Sequence, residues 1–248
     1  MKYLRITGSV LAVLLVIAVG GFVIWAETPL GPMMEAVVAL GSDDQVKVTN
    51  DRWIVFEPVG AQPTTGFIFY PGARVDERSY APPMRELAEQ GYLAVIVPMP
   101  LNLAIFDPTA AQKVIAAYPQ ITNWAIGGHS MGGAMAVTYA HDHLDTIEGV
   151  ALWAAYPQES DSLADQPNVS AVAIFGTNDG LVDPGERQKA VDFMPPTMPE
   201  VLIEGGSHAQ FGYYGDQPND NPATISHHEQ EAQIVAATAK LLQQIAQE

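Results

Sequence analysis

Ser130 lies in Gly128-His129-Ser130-Met131-Gly132, between an apolar run (WAIG) and a helix-forming run (MGGAMAVTYA). A G-x-S-x-G between a strand and a helix is the spacing of a nucleophile held on a sharp turn. The small residues let strand and helix approach closely, so the hydroxyl stands exposed at the helix N-terminus. There the helix dipole and its free N–H groups favour a developing oxyanion. The bland reading of the same residues is a Gly-rich strand–helix turn with a capping serine. A serine nucleophile also needs a base and an acid that orients the base. Downstream, Ala171–Phe175 ends in Gly176-Thr177-Asn178-Asp179-Gly180, and a later apolar run ends in Glu204-Gly205-Gly206-Ser207-His208. Asp179 and His208 thus both follow strand ends, where ligands collect in a parallel sheet. Their order matches a Ser…Asp…His relay. Asp183 is a nearby rival for the acid. His141 and His143 sit at the far end of the helix after the serine, and His227 and His228 open the last helix, so they fit the base less well.

Apolar runs of strand length alternate with helical patterns behind these residues. Val46–Thr49 and Trp53–Glu57 read as a hairpin turning at Asn50-Asp51. Strands are then expected at Gly66–Tyr70, Tyr92–Val97, Trp124–Gly127, Ile147–Ala154, Val169–Phe175 and Glu200–Glu204. Helices are expected at Tyr80–Gln90, Ala110–Tyr118, Met131–His141, Pro184–Phe193 and His228–Gln247. Strands apolar on both faces, each followed by a helix, predict a mostly parallel sheet covered on both sides.

The N-terminus has a different composition. Lys2 and Arg5 precede an uncharged run from Ile6 to Ala26, about the 20 apolar residues that cross a bilayer. The small-x-small site Ala18-Val19-Gly20 lies inside the run, which favours an uncleaved anchor over a cleaved signal peptide. Both cations precede the run, so the remainder is expected outside the cytoplasm. Residues 1–26 are read as the anchor, 27–45 as a stalk with a short helix, and 46–248 as the catalytic domain. The chain carries 11 Lys+Arg against 28 Asp+Glu. Such a surface repels phosphate backbones, so nucleic acid is not an expected partner. The absence of cysteine excludes disulfides, a thiolate nucleophile and Cys-ligated zinc.

GGHSMGG, FGTNDGLVD and GGSHAQFGYYG, in that order, resemble an α/β-hydrolase. From YPGARVD through MPLNLAIF to the C-terminus, the chain is similar to membrane-tethered bacterial members related to dienelactone hydrolases. The resemblance implies an α/β-hydrolase fold and a carboxylic-ester hydrolase with Ser130, Asp179 and His208 as triad, acting on a small-molecule ester. Acyl transfer through such a triad needs no metal and no organic cofactor. The resemblance also implies oxyanion donors from the N–H of Met131 and from the Tyr70-Pro71-Gly72-Ala73 loop. Many relatives have His-Gly where this chain has Pro71-Gly72; proline has no N–H, so the second donor falls to Ala73. A dienelactone hydrolase would use a cysteine, which is absent here.

Only Gln158–Asn168 separates two strands where relatives insert a cap, so no cap domain is expected. An uncapped site predicts a preference for acyl groups of about two to six carbons. Leu101, Leu103, Ile105 and Phe106 follow a strand end and either wall an acyl site or pack under a loop. Phe211, Tyr213 and Tyr214 either overhang the site or serve packing. Asp216–Asn221 (DQPNDN) reads as a solvated turn, since its spacing matches no calcium loop.

Overall fold

The structure, a computed structural model, describes residues 2–247, with side chains from Leu11 onward. Eight strands form one sheet: β1 (Val46–Asn50), β2 (Ile54–Pro58), β3 (Thr65–Tyr70), β4 (Leu93–Ile96), β5 (Asn123–His129), β6 (Ile147–Trp153), β7 (Ser170–Gly176) and β8 (Glu200–Ile203). Their spatial order is β1-β2-β4-β3-β5-β6-β7-β8. β2 runs antiparallel to both β1 and β4, and every pairing from β4 to β8 is parallel. Side chains alternate between two cores along each central strand. In β3, Phe67 and Phe69 enter one core while Ile68 and Tyr70 enter the other. Both sets are apolar because helices cover both faces.

The helices are α1 (Lys2–Ala26), α2 (Met34–Ala39), α3 (Ala81–Glu89), α4 (Ala111–Ala117), α5 (Met131–Asp142), α6 (Pro184–Phe193) and α7 (His227–Ile245). α2, α3 and α7 contribute Ala39, Met84, Leu87, Ile234 and Leu242 to the core that holds Trp153. α4, α5 and α6 supply Val114, Val137 and Ala190 to the opposite core. The expected element ends shift by one or two residues. β5 extends two residues further, to His129, because Gly128 and His129 pair with Leu152 and Trp153 of β6. No α-helix lies between β6 and β7. That connection holds only a 3-10 turn, Glu159–Asp161, so no helical lid stands at the usual point of cap insertion.

Side chains of α1 are described from Leu11, and among the described residues no helix is long and apolar enough to cross a membrane. The segment expected as a stalk lies against the domain. Leu30 N–H donates to Arg74 O at 2.8 Å, Met33 N–H donates to Tyr213 O at 2.7 Å, and Ala36 is fully buried. The C-terminal end of α1 is fastened too. Arg74 donates from Nε to Trp25 O and from a terminal nitrogen to Thr28 O, each at 2.8 Å, and Asn102 Nδ2 donates to Ala26 O at 3.0 Å. The Phe22 and Phe106 rings meet edge to face with centroids 6.3 Å apart.

Candidate active site

The turn from β5 to α5 places Ser130 at φ 52°, ψ −123°, a conformation an L-residue holds only when its surroundings impose it. The surroundings do so here. A Cβ on Gly128 would lie 2.5 Å from the Gly132 carbonyl carbon and 2.7 Å from Gly133 N, so only glycine lets the helix start this close to the strand. Ser130 N–H donates to Trp153 O at 3.0 Å, which fixes the turn on the neighbouring strand. Met131 begins α5, and its N–H has no acceptor among the described residues.

His208 follows β8, and its Nδ1 lies 2.8 Å from Asp179 Oδ2, with both side chains almost wholly buried. The other oxygen, Asp179 Oδ1, accepts from Leu181 N–H at 2.7 Å and from Val182 N–H at 2.9 Å. These bonds fix the carboxylate and leave Oδ2 for the imidazole. An Nδ1–H that donates to Asp179 makes Nε2 the acceptor, and Nε2 has no partner among the described residues. The rival acid does something else. Asp183 caps α6, accepting from Glu186 N–H at 2.8 Å while Glu186 reaches back to Asp183 N–H at 3.1 Å.

Ser130 and His208 border one cavity of about 290 Å³. Its wall is apolar, from Ile105, Met131, Met135, Ala155, Leu181 and Val182, with Tyr156 beside them. Burial and a 2.7 Å hydrogen bond to Glu186 push the Tyr156 hydroxyl up to about 12, so it stays protonated. The residues expected to hold substrate are placed differently. Of the loop after β4, only Ile105 reaches the cavity. Leu103 turns into the protein, Phe106 packs toward Phe22, and Leu101, at φ 55°, turns the backbone back. Phe211 is buried and stacks on the His129 ring, with centroids 5.6 Å apart and planes 13° apart. Tyr213 and Tyr214 are buried as well. Leu101, Leu103, Phe106 and Phe211 are therefore outside the lining, and Leu181, Val182 and Met135 take their place.

Around the loop after β3, Gly72 N–H donates to Tyr80 Oη at 3.0 Å, and Ala73 N–H has no acceptor among the described residues. Tyr80 Oη also meets His129 Nδ1 at 2.9 Å. Burial holds the His129 imidazole well below its usual value, and the His208 ring, with its centroid 4.4 Å away, adds to this. The turn Asp216–Asn221 is largely exposed, as expected, and one of its residues also bonds to the site loops. Asp220 accepts from Gly180 N–H at 2.9 Å and from Ala209 N–H at 2.7 Å, the residues that follow Asp179 and His208. The sequence reading missed both Tyr80 and Asp220. Tyr80 had no local signal, whereas Asp220 sat in a conspicuous acidic loop.

The fold and site have parallels. A crystal structure of a predicted CIB-like hydrolase from Thermoplasma acidophilum superposes with a TM-score of 0.56 at 15% identity, covering 82% of this chain and all of that one. No curated protein matches in sequence. The family model described as alpha/beta hydrolase family matches residues 66–232, a stretch that runs from β3 through Ser130, Asp179 and His208 into α7. On this match, the chain belongs to the alpha/beta hydrolase family.

Proposed function

We propose that this hydrolase cleaves carboxylic esters through Ser130, His208 and Asp179. The reading is carried by the 2.8 Å bond from His208 to Asp179, with the opposite imidazole nitrogen unpartnered among the described residues and Ser130 on the same cavity. His208 takes the proton of Ser130 as the hydroxyl attacks the ester carbonyl. The N–H groups of Met131 and Ala73 hold the oxyanion, and His208 then protonates the leaving alcohol. Water repeats the sequence on the acyl-enzyme and releases the acid. Asp179 keeps the imidazole in the required tautomer and stabilises the imidazolium that forms.

The same proposal places the enzyme on a membrane, with its domain outside the cytoplasm. From Ile6 to Ala26 the chain carries no charge, and Leu11, Leu14, Leu15, Val16 and Ile17 are each more than half exposed on α1. An apolar surface of that extent needs an apolar surrounding, and Lys2 and Arg5 set its direction.

A fluorophosphonate probe tests the chemistry. Wild type should be labelled at Ser130 and Ser130→Ala should not. An unlabelled wild-type chain that binds esters without turnover would make the protein a binding module.

A further inference from the structure

Glu231 of α7 is only 5% exposed, and one of its oxygens accepts from the Tyr213 hydroxyl. The other oxygen, Oε1, is buried with no hydrogen-bond partner among the described residues. A buried carboxylate oxygen without a partner is costly and uncommon in folded proteins. Two further side chains converge on the Glu231 carboxylate: His228 from the first turn of α7 and Glu86 from α3. Ligand atoms of Glu86, His228 and Glu231 all lie within 4.8 Å of one another. Among the described residues, neither carboxylate forms an ion pair with lysine or arginine. Two carboxylates are thus brought together, one of them desolvated, with no lysine or arginine paired to either among the described residues.

We propose that Glu86, His228 and Glu231 bind a zinc ion that staples α3 to α7. One imidazole nitrogen and two carboxylate oxygens suit zinc, whereas calcium and magnesium prefer oxygen ligands alone. In a tetrahedral site with bonds of about 2.1 Å, the donor atoms stand about 3.4 Å apart. Small rotamer shifts from the present spacing reach that geometry. His228 and Glu231 are three apart on the helix and so share a face. Tyr213, bonded to Glu231, would orient the carboxylate from behind, as outer partners of metal ligands do. The site is separate from the ester chemistry and holds no reacting group. Its effect would be on stability, because α7 and the segment after His208 meet at Tyr213.

The test uses the untagged full-length chain in detergent, equilibrated with zinc and desalted. Wild type should retain one zinc per chain, and zinc should raise its melting temperature. His228→Ala changes an exposed residue and should fold normally. It should hydrolyse p-nitrophenyl acetate at the wild-type rate, bind zinc about tenfold more weakly or worse, and lose the thermal shift. Glu86→Gln should do the same. If wild type retains no zinc, Glu231 holds only a proton and the proposal fails. Equal zinc retention in His228→Ala and Glu86→Gln would place the ion elsewhere and overturn it too.

Discussion

Tyr80 Oη lies 2.9 Å from His129 Nδ1 and 3.0 Å from Gly72 N, so one buried hydroxyl joins the residue before the serine to the loop beside Ala73. It accepts a hydrogen bond from Gly72 N–H and shares another with His129 Nδ1. Tyr80→Phe removes both bonds without changing the shape of the core. We expect kcat to fall about tenfold with KM nearly unchanged, because the loss is one of oxyanion positioning. The melting temperature should fall as well, for a cost of about 1–3 kcal/mol from the unpaired groups. An unchanged kcat would separate Tyr80 from the oxyanion loop.

His129 gives the fold a pH dependence. Burial holds its pKa in the folded chain well below 6.5, the value expected when unfolded. Above pH 6.5 the ring is neutral in both states and contributes nothing. Below it, the unfolded chain takes up a proton that the folded chain refuses, so stability drops as pH falls. Denaturant titrations at pH 7 and pH 5 should show a smaller loss for His129→Gln than for wild type. Equal losses would mean that the ring is not held neutral.

Asp220 should matter to catalysis although it lies outside the cavity. Its two oxygens hold the residues that follow the acid and the base. Asp220→Ala is predicted to lower kcat by about one to two orders of magnitude, through two lost bonds to a charged acceptor. Asp220→Asn keeps one acceptor and should recover part of the loss. If neither substitution changes kcat, the two loops are held without it.

The acid and the cap can be separated by mutation. Asp179→Asn should lower kcat by about 10⁴, since the amide favours the wrong imidazole tautomer. Asp183→Ala should leave kcat nearly intact and cost about 1 kcal/mol of stability as a lost helix cap. The opposite ranking would transfer the acid role to Asp183.

Acyl length should be limited by the cavity of about 290 Å³. Across p-nitrophenyl esters, kcat/KM is expected to peak between about two and six acyl carbons and decline beyond, with no jump at the solubility limit. A steady rise to palmitate would require a longer acyl channel.

How far the site could be read in advance depended on the range of the interactions that build it. The Ser130 turn is local: glycines, a strand before and a helix after are all adjacent in sequence, and β5 and α5 form as expected. The choice between Asp179 and Asp183 looked open, yet a capping box was written in Asp183-Pro184-Gly185-Glu186 and would have assigned Asp183 to α6. Leu103 and Phe211 misled because an apolar residue beside a strand end can turn toward solvent, substrate or core, and local pattern does not distinguish these. Tyr80 and Asp220 act across 49 and 40 residues of chain, so only the assembled sheet reveals their partners.

A helix fastened by Arg74 and Asn102 cannot work as a leash. With α1 in a bilayer as proposed, the domain would ride at a fixed height and a fixed tilt above the lipid. The opening beside Ile105 would sweep a thin shell of solution along the surface, and never the volume that a flexible tether reaches. Encounters would then depend on how strongly an ester concentrates in that shell, more than on its concentration in the bulk.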